Sequence, residues 1–194
     1  AEAGCDTVSF GVETGDEELR TKLLGKRILN AQLIEAARTL RTHGLRLYTT
    51  NMVGVPGDTV ESAFATVHLN QQLSPDEVLC FVFQPYAGLA LTEHAINQGL
   101  ITREDVEELW TRPYADNALP LADAQALFNL QKLFGPAVLC PALEPLLRVL
   151  IRLPGNPLFR LVFLGYQAWA YSRHARVGPL RLAWEGAHLL GLYS

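Results

Sequence analysis

An α/β fold of parallel strands joined by helices, running into an α-helical extension, is what this sequence predicts, and three observations predict it. Strand-like apolar runs begin near Thr7, Leu45 and Val78, about one βα unit apart, with helical periodicity filling the gaps. Each run closes in a glycine-bearing turn: Gly11-Val12-Glu13-Thr14-Gly15, Val53-Gly54-Val55-Pro56-Gly57-Asp58-Thr59, and Gln84-Pro85-Tyr86-Ala87-Gly88. After Gly88 the strand pattern gives way to helical, apolar sequence punctuated by Pro136, Pro141, Pro145, Pro154, Pro157 and Pro179. Such alternation implies right-handed crossovers, with ligands bound at the carboxyl ends of the strands.

The elements follow in order. Thr7 to Gly15 reads as an apolar strand running into glycine, with the Glu13 carboxylate at its end, and Asp16 to Leu24 reads as a short helix. Asn30 to His43 carries Leu33, Ala37 and Leu40 on one stripe, with Gly44 as its stop. The second strand runs into the Gly54–Thr59 turn. Asp58 or Thr59 caps a helix from Thr59 to Gln72, whose Val60, Ala63, Phe64 and Val67 face the sheet. The third strand, from Val78, places Cys80 as a buried thiol. Leu91 to Gln98 and Thr102 to Trp110 are short helices, the latter opened by Thr102 with Asp105 three residues on, a variant of the capping box. From Asp123 onward the chain is helical.

At 194 residues, 49% of them hydrophobic, the chain can bury a sizeable core. A formal charge of −4 and the absence of a lysine-rich run argue against nucleic acid as a partner. The charge is uneven: from Pro141 onward there are 6 arginines against Glu144 and Glu185, so the tail is basic and apolar together. Within that tail, prolines, Glu144, Arg148 and Arg152 interrupt the apolar run, which excludes a clean spanning helix and leaves helices packed on a domain face or lying in a membrane interface. Three scattered cysteines, Cys5, Cys80 and Cys140, fit neither a disulfide framework nor a metal cluster, and the five histidines show no ligand spacing. A reducing, cytoplasmic setting follows, with membrane association through the tail as the variant. No secretory leader is visible and no methionine opens the chain, so it reads as a fragment whose preceding part is missing.

Gly54 and Gly57 permit positive φ and close approach of backbone to a ligand, and Pro56 stiffens the loop between them. Glu13, flanked by Gly11 and Gly15 at a strand end, can accept hydrogen bonds from ribose hydroxyls or an ammonium group; the alternative is a plain loop carboxylate. Gln84, Tyr86, Thr50 and Asn51 are polar groups at or near strand ends, suited to orienting a ligand. For Asp58, capping of the following helix is sufficient explanation.

These turns, in this order, resemble the second half of the radical S-adenosylmethionine (radical SAM) enzyme barrel, in particular the subgroup that often carries a cobalamin-binding domain upstream. Gly11-Val12-Glu13-Thr14-Gly15-Asp16-Glu17-Glu18-Leu19 is similar to that family's fourth-strand segment. The Val53–Thr59 turn is similar to its fifth, and Gln84-Pro85-Tyr86-Ala87-Gly88-Leu89-Ala90-Leu91 to its sixth. The resemblance covers about residues 1–101 and implies the carboxy-terminal half of a partial (β/α)6 TIM-like barrel, with residues 102–194 as a helical, apolar extension. It implies S-adenosylmethionine held beside a 4Fe-4S cluster whose ligands lie outside this chain, with cobalamin as a further cofactor. By that analogy Glu13, with Gly11 and Gly15 around it, meets the ribose or methionine portion. Gly54, Val55 and Gly57 line the adenine with backbone, and Gln84 and Tyr86 border cofactor or substrate. The CxxxCxxC loop that binds the cluster is absent, Asp58 stands where glutamate is more usual, and Leu89 where threonine is.

The leading expectation is therefore a fragment of a radical SAM iron-sulfur enzyme that reductively cleaves S-adenosylmethionine, in its finer form a cobalamin-dependent methyltransferase or cyclase. Its partners would be a small-molecule or lipid-like substrate and an electron-donor protein, with peripheral membrane contact through the C-terminal helices. The chain by itself should be inactive. A second reading is a non-catalytic barrel remnant that binds a partner or membrane surface through its arginine-containing tail. A third is a phosphate-binding α/β domain that uses the Gly54–Thr59 turn as an anion nest.

Overall fold

The computed structural model describes residues 4–108 and 119–175. The end of the expected helix at Trp110 and the tail beyond 175, with Pro179, lie outside the described residues. Two compact units are present, Ala1–Gly155 and Asn156–Ser194.

In the first unit the order is β1 (Thr7–Glu13), α1 (Glu17–Lys22), α2 (Asn30–Thr42), β2 (Arg46–Val53), α3 (Val60–Leu73), β3 (Glu77–Val82), α4 (Ala90–Asn97), α5 (Arg103–Glu108), α6 (Ala124–Leu139) and α7 (Glu144–Leu150), with a 3-10 turn at Pro141–Leu143 before α7. The second unit's described part is α8 (Pro157–Ala175). The three strands form one parallel sheet in the order β1-β2-β3. The βαβ connections thus appear where helical periodicity alternates with apolar runs, and among the described residues no strand follows β3.

Period-2 alternation decides which face of the sheet is covered. In β2, Leu47, Thr49, Asn51 and Val53 are buried while Arg46, Tyr48, Thr50 and Met52 are half-buried. Leu47 of this row packs with Val12 of β1, Leu33 and Ala37 of α2 and Leu69 and Leu73 of α3. On β3 the buried side chains are Val78, Cys80 and Val82, and Gln131 of α6 donates to the Cys80 carbonyl at 2.9 Å. The opposite face, with exposed Ser9 and Phe81, is much less buried. Parallel sheets ordinarily bury both faces.

Between β2 and α3 lies a closed polar network. Thr49 Oγ1 donates to Asn70 Oδ1 at 2.7 Å, Asn70 Nδ2 donates to Asn51 Oδ1 at 2.6 Å, and Asn51 Nδ2 donates to the Leu79 carbonyl at 3.0 Å. All three side chains are essentially inaccessible, so each polar atom needs a partner inside the protein, and the network supplies one. Asn51 therefore holds strand to helix and does not face a ligand.

The capping expected from sequence is present. Thr59 Oγ1 accepts from the Ser62 N–H at 3.2 Å, and Asp105 N–H donates to Thr102 Oγ1 at 3.1 Å while Asp105 accepts in return from the Thr102 N–H. The prolines do not all break helices: α6 runs through Pro136, which costs one helical hydrogen bond. Burial of Leu127, Leu130, Leu133, Phe134 and Ala137 offsets that loss. Asn129 of α6, wholly buried, donates to the Ile151 and Leu153 carbonyls at 2.9 and 2.7 Å and so fixes the end of α7.

Candidate functional site

Apart from Thr50 and Asn51, which lie within β2, the candidate residues lie at or just beyond the end of the sheet where the three strands stop. In register Glu13 stands opposite Asn51, and Val53 opposite Val82, so the turns after β1, β2 and β3 emerge side by side. With strands about 4.8 Å apart, the ends of β1 and β3 are separated by roughly 10 Å.

At the end of β1 the register slips between Gly11 and Glu13, leaving Val12 as the extra residue of a bulge. Glu13 takes φ of +63°, a left-handed conformation uncommon for a side-chain-bearing residue. Its carboxylate thereby folds back over Gly11 and meets Lys26 Nζ at 2.6 Å. A Cβ at Gly11 would lie 2.2 Å from Glu13 Oε1 and 3.2 Å from Lys26 Nζ, so the absent side chain is what makes room for the pair. The Glu13 side chain is three-quarters buried, with an accessibility of 24%.

Gly15 has a different neighbour. A Cβ there would come within 2.2 Å of the Ala65 carbonyl oxygen on α3, and the Gly15 N–H donates to Thr66 Oγ1 at 2.8 Å. It seats the β1–α1 turn on α3. Arg20, wholly buried, fixes the rest of this turn: Nη1 donates to the Thr14 carbonyl at 2.6 Å, Nε to the Ile28 carbonyl at 3.1 Å, and Nη2 to Asn30 Oδ1 at 2.6 Å. Burial lowers the guanidinium's proton affinity, and the charges of Glu17 and Asp16 work against that shift.

At the end of β2, Gly54 and Gly57 have φ of +78° and +81°, and the Asp58 N–H closes the turn on the Val55 carbonyl at 2.9 Å. Asp58, 7% exposed, accepts from the Gly54 N–H at 2.7 Å, from the Thr59 N–H at 3.1 Å and from the Ser62 hydroxyl. Burial nevertheless raises its pKa above the ordinary carboxylate value. Asp58 is thus the clamp of the turn, and the cap itself is Thr59. The Val55 side chain is buried with Phe83, Ala95 and Leu119, so only its backbone is available to a ligand.

At the end of β3, the Phe83 N–H donates to the Val53 carbonyl at 2.8 Å, which carries the pairing one residue beyond the strand. Gln84 follows, 9% exposed, and its Nε2 is buried with no hydrogen-bond partner among the described residues. Native structures rarely leave a buried amide donor unmatched. Tyr86 is 47% exposed, its N–H donating to the Gln84 carbonyl at 3.0 Å.

A cleft of about 460 Å³ opens beside this edge, between α1, α4 and the β2–α3 turn. Leu19, Lys22, Pro56 and His94 line it, and of the candidate residues it touches Gly57 alone.

Cys80 is buried, and desolvation aided by the charge of Asp58 pushes its thiol well up, which makes it a poor nucleophile and ligand. Among the described residues no group of three His, Cys, Asp or Glu side chains is placed to hold a metal ion. The described side chains do not fit a 4Fe-4S cluster. At the strand ends they offer a buried Gln84 donor with no partner among the described residues, a glycine turn and the Glu13 carboxylate.

Part of this edge lies within a match to known proteins. Residues 1–69 match the radical SAM superfamily. That segment holds β1, its bulge and Glu13, the Gly54–Asp58 turn and most of α3; the radical SAM match stops short of β3 and Gln84. An uncharacterized methyltransferase of Pyrococcus horikoshii is 33% identical over 100 residues, covering 52% of this chain and 22% of that protein. An uncharacterized protein of Methanopyrus kandleri is 33% identical over 82 residues, covering 41% of this chain and 16% of that protein. The chain thus spans about a fifth of the length of these curated relatives. The parallel three-stranded α/β sheet is consistent with part of a radical SAM barrel.

The sequence reading did not single out Lys26 or Arg20. Lys26 reaches Glu13 across 13 residues through a turn, and nothing local to Gly25-Lys26 signals it. Arg20 lies on a helix whose acidic neighbours Glu17 and Glu18 suggest a solvated face.

Proposed function

We propose that the strand-end edge of residues 1–101 is part of the S-adenosylmethionine cleft of a radical SAM enzyme, with residues 102–194 as its helical extension. The observation that carries this is the buried Gln84 Nε2 without a partner among the described residues, one residue past the pairing of β3 with the Val53–Gly54 turn. A donor so placed is matched by a ligand acceptor such as an adenine ring nitrogen or a ribose oxygen.

S-adenosylmethionine would supply an activated sulfonium. This chain's residues bind and orient it. The Gly54–Gly57 backbone, held open by Asp58, gives a ring a close flat approach. Glu13, whose carboxylate keeps accepting capacity beyond Lys26, takes hydroxyl or ammonium donors. The roughly 10 Å between β1 and β3 suits a nucleoside with an amino-acid tail. The methyltransferase name of one relative supports methyl transfer over cyclisation as the finer reading, on a small-molecule or lipid-like substrate. Reductive cleavage, cobalamin and an electron-donor protein belong to that finer reading, and cluster ligands must come from outside this chain.

A phosphate nest is less well supported. The Gly54 N–H already donates to Asp58, whose carboxylate would repel an incoming phosphate.

Equilibrium dialysis of radiolabelled S-adenosylmethionine against the 194-residue chain tests the reading. Saturable binding is expected, weakened on the order of tenfold or more in Gln84→Met. Absence of binding at millimolar ligand, or equal binding by the variant, would sink it.

A further inference from the structure

The helix α8 leaves an unusual surface exposed. With about 100° between successive residues, Phe159, Phe163, Tyr166 and Ala170 fall on one side, where they are buried or half-buried. The other side is open and apolar: Leu158 is 68% exposed and Leu161 62%, with Val162, Leu164, Trp169 and Tyr171 also exposed. Arg160 and Arg173 stand at the two margins of this arc, and α8 contains no acidic residue. The Arg173 guanidinium lies 5.1 Å from the centre of the Trp169 ring, so cation and indole occupy the same margin.

Three occupants could cover such a face, and the charges separate them. A second copy would oppose arginine to arginine with no carboxylate on either face to answer them. Packing on a neutral apolar protein surface would give Arg160 no anion to meet and leave Arg173 with the Trp169 ring alone. An anionic lipid surface satisfies every part of the pattern. The leucines and valine enter the acyl boundary, the aromatic rings sit at headgroup depth, and the two arginines reach sideways to phosphates. The helix, 19 residues long, would be about 28 Å from end to end. Yet among the described residues no helix is long and apolar enough to cross a membrane, so α8 would lie in the interface and not through it.

We propose that α8 is an interfacial membrane-docking helix that seats its Leu158–Leu161–Val162–Trp169 face on anionic lipid, with Arg160 and Arg173 reading the headgroup charge. This stands independently of the S-adenosylmethionine site.

Co-sedimentation of the 194-residue chain with phosphatidylcholine vesicles, with and without about one third phosphatidylglycerol, decides it. Binding is expected to the anionic vesicles only and to weaken as salt is raised. Arg160→Gln and Arg173→Gln should each lower the partition coefficient about fivefold. Leu161→Glu should lower it at least about tenfold with an unchanged circular dichroism spectrum, since that side chain is exposed and carries no core packing. Failure to bind anionic vesicles at low salt would overturn the proposal. So would equal binding to neutral vesicles, or a concentration-dependent mass in solution that Leu161→Glu abolishes.

Discussion

Glu13 Oε1 and Lys26 Nζ meet at 2.6 Å in the space that a side chain on Gly11 would fill. The two glycines flanking Glu13 therefore do different jobs, and one substitution at each tells them apart. In Gly11→Ala the new Cβ collides with the end of a flexible carboxylate, which can swing away. Folding stability should fall by less than about 1 kcal/mol, while the Glu13–Lys26 pair is lost and S-adenosylmethionine binding weakens. In Gly15→Ala the Cβ meets backbone, 2.2 Å from the Ala65 oxygen and 2.7 Å from Thr66 Cα, and a helix must move. A loss of about 1–3 kcal/mol is expected. Urea midpoints of the two variants check the contrast, and similar values for both would refute it.

Gln84 links stability to binding with opposite signs. Its Nε2 donor has lost water and gained no partner among the described residues, so replacing the amide by an apolar chain of similar shape relieves a cost. Gln84→Met should leave the ligand-free protein unchanged or more stable by about 1 kcal/mol, even as it loses affinity for S-adenosylmethionine. A midpoint clearly below that of the wild type would mean that the amide already has a partner, and would remove the main support for a ligand at this edge.

Much of this architecture was legible because it is local. Apolar runs about one βα unit apart placed β1, β2 and β3, glycine and capping residues placed α2 and α3 within a residue or two of their observed ends, and the Thr102 cap placed the start of α5. The turns at Glu13, Gly54 and Gln84 stood out because glycine or proline marks each. What escaped depends on contacts distant in sequence. Arg20 reads as one more charge in an acidic helix, yet three acceptors on separate segments bury it. Asn51 looks like a strand-end ligand group, and only its pairing with Asn70 of α3, 19 residues on, shows it to be internal scaffolding. Gly15 looks like a partner of Gly11 until α3 is laid against it.

Asp58 gives a pH dependence of definite sign. Burial raises its pKa above the ordinary value of 3.8, overriding the hydrogen bonds from Ser62, Gly54 and Thr59 that favour the charged form. The folded protein then holds this proton more tightly than the unfolded chain, so the stability Asp58 contributes declines as pH rises from 3.8 to the raised value. Asp58→Asn does not titrate. The stability difference between variant and wild type should therefore shift in favour of Asn across that window and stay flat above it. Urea unfolding at intervals between pH 4 and pH 8 measures the difference; a shift in the other direction would show that hydrogen bonding outweighs desolvation at this carboxylate.

Glu144 carries the opposite sign. It opens α7 and meets His68 Nε2 of α3 at 2.7 Å, while Arg148, stacked 4.0 Å from the centre of the Phe64 ring, reaches Glu144 at 2.8 Å and Glu61 at 2.8 Å. The hydrogen bond from His68, followed by that from Arg148, holds the carboxyl below its ordinary value of 4.5. The unfolded chain takes up this proton first. Stability from the α3–α7 contact is thus complete above pH 4.5 and lost as pH falls through the lowered value. Glu144→Gln should remove that acid-side slope and little else, because the group is partly solvated and its charge screened. Hydrogen exchange of the α7 amides at pH 3 and pH 6 reads the contact directly. Faster opening at pH 3 in the wild type, with no such change in Glu144→Gln, is the expected pattern; equal acid sensitivity in both would assign the slope to another carboxylate.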